Sequence, residues 1–519
     1  MNSILAHLNP GKLKKSNKIA LGVLIGIGVL AILLIVANNI LESRIKKGIE
    51  KNLDSANAVY EKVDVKLLDR SAEVINAAID IRGKMLKVDT IRLNDIEILE
   101  YLTKKNIIIG DLKIANPEVK IFKLQKKDQD SSNSKKQSSL KNKIRIKSVK
   151  VSGGRLKIFE KDSANHRFYS KLRDISMEQV RIDSSSLKES VPFNYDLILL
   201  NIDSLYYDLN DLQKLYVGDL VIRNNDVKVA DLQLKPKFSR SEHQQNISKE
   251  TDWYDLEIDS IGISDFTWSL QNDSLKIGNS LTRIDKFNFV IYRDKLQSDD
   301  TSIKPLYSEM LRKMPVLIEI DSMSLTNGYL KYEEKIHADR EPGTVDFSNM
   351  NFQINHISNV GMDSKDFPET MIRAQADFME SASLNVRWTF NIADTQDRFN
   401  IRGELGRIAA EQINEFMKPA MNVQAHGEIE DLYFNFSGGP YTAKGDMRLE
   451  YKDFKIEVLQ KDGQEKNKVV SALANLIVKN KAQNSKANHK DITVERDRTK
   501  SFWNYLWNMI KNGALKAFI

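Results

Sequence analysis

From about Val59 to Leu459 apolar and polar residues alternate with a period of two, as in Val63-Asp64-Val65-Lys66-Leu67 and Ile79-Asp80-Ile81-Arg82. Such alternation puts one face of each strand in a dry environment and the other in water. Asn-Gly, Gly-Gly and Asn-Asn signals separate the runs, and Gly153-Gly154 and Gly438-Gly439 read as hairpin turns.

One unit recurs in five ungapped copies: Ile107–Phe122 (IIIGDLKIANPEVKIF), Ile144–Phe159 (IRIKSVKVSGGRLKIF), Leu215–Ala230 (LYVGDLVIRNNDVKVA), Leu256–Leu270 (LEIDSIGISDFTWSL) and Ile318–Glu333 (IEIDSMSLTNGYLKYE). Each opens apolar-x-apolar. A Gly/Asp/Lys–Asp/Ser pair follows, then a second apolar-x-apolar and, after a turn-prone stretch, another alternating strand. The uneven spacing excludes a tight solenoid of fixed period. It predicts an extended sheet of hairpins with variable insertions.

Helix patterns are short: Pro305–Lys313, Ala409–Lys418 and Lys466–Val478. The expected fold is therefore mainly β, an elongated curled antiparallel β-sheet with an N-terminal transmembrane helix, short helices and an amphipathic C-terminal helix. An apolar sheet face must be covered. A second sheet would make a filled sandwich; curling would make a groove with room for an apolar ligand. Periodicity leaves both open. For a groove, the lining candidates are the apolar members of the repeats: Ile109, Ile114, Ile146, Val151, Val217, Ile222, Ile258, Ile263, Ile320 and Leu325. A one-residue slip in register would turn each of them outward.

The chain ends read differently. Ile19–Ala37 (IALGVLIGIGVLAILLIVA) carries no charge and is long enough to cross the roughly 30 Å hydrocarbon core. Asn38-Asn39-Ile40-Leu41-Glu42 after it is a poor cleavage site, so an uncleaved anchor is expected rather than a signal peptide. Lysines and arginines are nearly balanced across the span, and the short, acid-free leading tail favours an N-inside orientation. Gly22 and Gly26 form a GxxxG, a helix-pairing signal that also arises by composition in membrane helices. The expected organisation is a cytoplasmic tail (1–18), a transmembrane helix (19–41) and a helical stalk (42–58) marked by Ile45, Ile49 and Leu53. Then come a first β segment (59–122), a flexible linker (123–143), the main β body (144–460), a short helix with a basic linker (461–500) and an amphipathic helix (501–519). Both polar linkers are solvated, with contact to anionic headgroups as the alternative. In the last helix Trp503, Leu506, Trp507 and Ile510 share a face, which suits either a membrane interface or docking on the protein's own sheet.

Candidate chemistry is sparse. The formal net charge of +7 is small for 519 residues and sits in tails and linkers, which argues against nucleic acid as a partner. There is no cysteine, which excludes disulfides and thiol chemistry. The seven histidines, His7, His166, His243, His337, His356, His426 and His489, have no metal-ligand spacing and read as surface or turn residues. No G-x-S-x-G, Walker A or GxGxxG motif occurs, so neither a catalytic residue nor a cofactor is expected. Carboxylates fall at polar strand positions.

The anchor followed by these units resembles the AsmA-like family of diderm bacteria. The clearest unit is Ile318–Tyr332, with Asp321-Ser322 and Asn327-Gly328. Gly427–Leu459 is similar to the family's terminal module, and Arg496–Gly513 (RDRTKSFWNYLWNMIKNG) to tails of Bacteroidetes-type members. The resemblance implies an inner-membrane protein with its body in the periplasm, related to the TamB and chorein bridge-like lipid-transfer proteins. It further implies membrane phospholipids as partners, a possible envelope protein partner, and a role in outer-membrane lipid homeostasis. No catalytic residue comes with it. About 15 residues per strand and turn would give a sheet roughly 120 Å long at about 4.8 Å per strand, short for a bridge. The rival expectation is a non-enzymatic envelope scaffold or assembly factor with a filled β-sandwich. An envelope hydrolase would need a polar pocket with convergent carboxylates or histidines.

Overall fold

The computed structural model describes residues 56–66, 68–81, 84–122, 143–160, 165–186, 193–271, 274–459 and 488–518. The candidate transmembrane helix, most of the stalk, the linker 123–142 and the Lys466–Val478 helix lie outside them. Among the described residues no helix is long and apolar enough to cross a membrane.

The protein is mainly β, with 63% of the described residues in strands. The first part contains β1 (Ala56–Val59), β2 (Lys62–Lys66), β3 (Ser71–Ile81), β4 (Lys84–Asn94), α1 (Ile98–Lys104), β5 (Ile107–Ala115), β6 (Glu118–Phe122), β7 (Ile144–Phe159) and β8 (His166–Ile182). The middle contains β9 (Leu197–Asp208), β10 (Gln213–Arg223), β11 (Asp226–Pro236), α2 (Arg240–Gln245), β12 (Trp253–Ser264), β13 (Thr267–Gln271), β14 (Ser274–Asp294), α3 (Tyr307–Arg312), β15 (Leu317–Lys335) and β16 (Gly343–Ser358). The last part contains β17 (Thr370–Phe378), β18 (Ala382–Phe390), β19 (Phe399–Leu405), β20 (Ile408–Ala409), α4 (Ala410–Met421), β21 (Val423–Gly438), β22 (Thr442–Val458), β23 (Asn488–Glu495) and α5 (Phe502–Phe518).

Among the described residues all 23 strands belong to one sheet. Its strands follow chain order from β1 and β2, side by side along β3, to β23 at the far edge. The sheet is mixed, not antiparallel throughout. β5 and β6 run parallel to β7, and β14 runs parallel to β15. Alternation carries no information on strand direction. A parallel joint needs a long return connection, and these two joints follow the 123–142 segment and the stretch that carries α3.

The pair at the centre of each repeat unit shapes the strands. Gly110–Asp111, Lys147–Ser148, Gly218–Asp219, Asp259–Ser260 and Asp321–Ser322 each lie across from a partner-strand residue with positive φ: Asp95 (54°), Gln179 (54°), Asp231 (51°), Lys286 (49°) and His356 (59°). A left-handed residue turns the backbone, and the alternation slips by one on both strands. Positions one, three, six and eight of the unit then share a face. Ile107, Ile109, Leu112 and Ile114 are all buried, as are Ile144, Ile146, Val149 and Val151.

Gly153-Gly154 is not a hairpin turn. It lies inside the 16-residue β7, at a second such kink. Gly153 has φ of +61°, and a Cβ there would come within 2.3 Å of Asn116 Oδ1. Gly438-Gly439 does turn β21 into β22, with Gly439 N–H donating to Thr442 O at 3.0 Å. Strand β23 replaces part of the expected basic linker, since Ile492 and Val494 alternate with polar residues and are buried. Strand β1 similarly takes the last residues of the expected stalk.

Candidate functional site

Cross-strand partners share a face, so the register can be followed residue by residue. One row runs Val63, Val74, Ile91, Ile114, Val151, Ile175, Leu200, Ile222, Val227, Ile263 and Thr282. It continues through Met323, Ile354, Ile372, Trp388, Ile401, Phe436, Gly445 and Ile492. It crosses the sheet from β2 to β23, about 85 Å at about 4.8 Å per strand. The strands are longer and fewer than the sequence spacing suggests, which is why this is less than 120 Å. A second row beside it links Leu172, Ile202, Leu220, Val229, Ile261, Ile284, Leu325, Phe352, Ala374, Val386, Gly403, Phe434 and Met447.

The lining candidates all fall on this face. Ile114, Val151, Ile222 and Ile263 are in the first row, and Leu325 is in the second. Val217 and Ile258 are joined through Leu232. Ile109 pairs with Ile146, and Ile320 pairs with Ile357.

Burial is uneven along the face. Towards the N-terminal end Val74, Ile91, Ile109, Ile114, Ile146 and Val151 belong to one buried cluster. Towards the C-terminal end Trp388, Ile401, Phe436 and Ile492 belong to another. Between them Ile175, Leu200, Ile222, Ile258, Ile263, Ile320, Met323, Leu325, Ile354 and Ile372 are only half-buried, although Val217 and Val227 are buried.

Helix α5 closes the C-terminal end. Phe502 stacks on Trp388 with ring centroids 4.5 Å apart. Tyr505 and Met509 are fully buried. Gly513 permits close approach, because a Cβ there would lie 2.5 Å from Met447 Sδ and 2.6 Å from Ile492 Cδ1. The residues that seat the helix are thus Phe502, Tyr505, Met509 and Gly513. Leu506 and Ile510 are half-buried, and Trp503 (55%) and Trp507 (42%) stay exposed on the outer side. Trp503 Nε1–H donates to Tyr307 Oη at 3.0 Å. In this way α3, on the β14–β15 crossover, joins the same cluster. Tyr307, packed against Trp388 and Phe502 and pushed up to about 12 by burial, stays neutral.

Ion pairs and hydrogen bonds tie the crossover to the sheet and to the C-terminal segment. Arg312 Nη2 lies 2.8 Å from Asp397 Oδ1. Lys304 N–H donates to Arg498 O (2.8 Å), and Arg496 Nη2 donates to Lys304 O (2.6 Å). Arg293 grips Asp252 through Nε (2.6 Å) and Nη2 (2.8 Å), with Glu250 at 3.3 Å. Burial would lower the Arg293 pKa, but Asp252 more than reverses this and holds it above its ordinary value.

His243, expected at the surface, is buried. It sits on α2, which starts with a capping box between Ser239 and Glu242. Its Nε2 lies 3.2 Å from Thr251 O, and burial lowers its pKa. Several carboxylates also depart from the expected solvated face: Glu333, Glu334, Asp346 and Asp397 are buried. Among the described residues no group of three or more His, Cys, Asp or Glu is placed to hold a metal ion. A polar hollow of about 330 Å³ lies at the first kink, lined by Arg70, Asp95, Glu97, Gly110, Asp111, Lys147 and Ser148. Its Arg70–Asp95 pair (3.0 Å) is exposed.

No family model matches the chain, and comparison with curated proteins gives no match.

Proposed function

We propose that this protein is a membrane-anchored, non-enzymatic, AsmA-like protein of the inner membrane whose β body lies in the periplasm. The curled sheet forms an apolar groove that binds or transfers phospholipid acyl chains for outer-membrane lipid homeostasis. The observation that carries the reading is the largely apolar face, mostly half-buried from Ile175 to Ile372, with Val217, Val227 and Thr282 buried within that stretch, and sealed beyond both its ends. A filled sandwich would bury the middle as deeply as the ends. Acyl chains bind by non-directional burial at about 0.8 kcal/mol per methylene. Ten seated methylenes give about 8 kcal/mol before ordering costs, the scale of a micromolar dissociation constant. Headgroups stay in water, so headgroup selectivity is low.

The test is lipid loading of the full-length protein. Phospholipid should co-purify with it, and a fluorescent acyl-chain probe should bind and be displaced by phospholipid. Ile222→Asp should block loading while leaving the fold intact. A folded Ile222→Asp variant that loads normally would remove the groove as assigned. Wild-type protein free of lipid and unable to bind the probe would favour the second reading, an envelope scaffold. The two fully packed end clusters are the observation on that side.

A further inference from the structure

On the opposite, solvent-facing side of the sheet, register brings together three arginines far apart in sequence. Arg373 on β17 is directly opposite Arg387 on β18, which is directly opposite Arg402 on β19. Like charges in directly opposed positions destabilise a sheet. Several other exposed arginines are neutralised: Arg92 by Glu73 (2.6 Å), Arg173 by Asp203 (2.6 Å), Arg398 by Asp394 (2.8 Å), Arg407 by Glu428 (2.7 Å) and Arg448 by Asp431 (3.0 Å). Arg373, Arg387 and Arg402 make no ion pair with a carboxylate among the described residues. Arg373 and Arg402 are exposed, and Arg387 is half-buried.

The neighbours leave the charge open. Gln353 and Asn435 extend the row at its two ends. One step along the strands lie Gln375 and Asn385 on one side, and Met371, Thr389 and Asn400 on the other. Glu404, opposite Asn385, and Asp446, opposite Asn435, are carboxylates close to the row, and the field of Glu404 acts on Arg448.

We propose that the Arg373–Arg387–Arg402 row is a docking surface for the anionic phospholipid headgroups of a bilayer. Three arginines in line, their backbones about 5 Å from one to the next across strands, form a stripe along the sheet and not a concave site. A single small anion is normally held by converging donors in a cradle. A protein partner would normally find an apolar, aromatic centre, and this patch is centred on guanidiniums and amides, with Met371 and Glu404 at its margins. A surface with repeated phosphates needs only unneutralised cations on a flat face, with amides able to reach ester and glycerol oxygens. The proposal does not depend on the apolar groove, which lies on the other face.

The test uses the full-length chain held in phosphatidylcholine nanodiscs and mixed with vesicles of phosphatidylcholine alone or with phosphatidylglycerol. Wild type should co-sediment with the phosphatidylglycerol vesicles only, and less so as salt rises. Each Arg→Gln change should weaken this about 5-fold, and Arg373→Gln/Arg387→Gln/Arg402→Gln together about 100-fold. The triple Lys variant should keep most of the binding. A triple Gln change at the paired Arg92, Arg398 and Arg407 should not reproduce the loss. The thermal transition of the row variant should be no lower than wild type, because repulsion is relieved. Should the triple fail to fold, Arg387→Gln and the triple Lys variant carry the comparison. Unchanged vesicle binding in the folded Gln variants, equal binding to both vesicle types, or displacement by millimolar inorganic phosphate at constant ionic strength would each overturn the proposal. Binding of an acidic protein that depends on the row, without vesicle binding, would do so as well.

Discussion

Phe502 lies flat on Trp388, with ring centroids 4.5 Å apart and planes 3° from parallel. Phe399 meets the same Phe502 ring edge-on at 5.3 Å. The aromatic cluster is thus where the C-terminal helix is fastened to the sheet. Phe502→Ala should cost about 3–5 kcal/mol, read as a lower denaturant midpoint and a changed Trp388 near-ultraviolet signal. Trp503→Ala, whose ring is largely exposed and whose indole N–H bonds Tyr307, should cost only about 1 kcal/mol. Equal costs would mean that the helix is not held by this stack.

Gly328 is fixed by a ring. A Cβ at this position would lie 2.0 Å from Cζ of Phe287, a buried side chain with little room to swing away. Gly328→Ala should therefore destabilise by about 1–3 kcal/mol. In Phe287→Leu, which shortens the side chain, the same Gly328→Ala change should cost much less. A double-mutant cycle with no coupling would contradict this account of the glycine.

The Asp252–Arg293 pair makes stability depend on acid. Burial by itself would raise the Asp252 pKa, but the charge and hydrogen bonds of Arg293 outweigh it, so the folded value lies below the ordinary one. Tyr254 Oη–H adds a hydrogen bond to Asp252 at 2.8 Å. A depressed carboxylate contributes stability that is complete above the unfolded value of about 3.9 and is lost as pH falls through the folded value. Asp252→Asn should cost about 3 kcal/mol at neutral pH, because it takes the charged two-point partner from the half-buried Arg293 and leaves Glu250 at 3.3 Å. Urea midpoints taken across the acid range should fall more steeply for wild type than for the variant.

His243 acts at milder acidity. Its folded pKa is lowered by burial. Its contribution is therefore complete above about pH 6.5 and fades as pH drops from there through the folded value. His243→Gln should flatten the stability profile in that window. An unchanged slope would place the sensitivity elsewhere.

The sequence carried the β architecture because alternation is a local signal: most strands, the turn at Gly438-Gly439 and the α3, α4 and α5 positions lie where the residue pattern puts them, while β1 and β23 fall in segments expected as stalk and linker. The kinks were hidden. Ile109 and Ile114 are five residues apart and would face opposite ways in a regular strand, and what unites them is the left-handed Asp95 on the neighbouring strand. Strand direction was equally hidden, since a return connection leaves no mark on period two. His243 looked like a surface residue because α2 is short, although Ser239 and Glu242 marked its start. The repeat units offered members of the apolar rows, such as Ile114, Val151, Ile222, Ile263 and Leu325, but the full rows and the arginine row exist only once register aligns distant residues.

Charge placed along the apolar row should separate an open middle from a sealed end. Ile222 pairs with Leu200 and Val227 in the half-buried stretch. Phe436 is fully buried, stacked 5.3 Å from Phe434. Phe436→Asp removes a large buried ring, worth about 3–5 kcal/mol, and leaves a carboxylate without a partner. It should abolish the cooperative unfolding of the C-terminal end and expose it to protease. Ile222→Asp keeps access to water and should cost about 1–2 kcal/mol. A proteolysis and melting comparison decides the matter. If Ile222→Asp unfolds the body as thoroughly as Phe436→Asp, the middle of the face has no solvent or ligand space, and acyl chains have nowhere to lie.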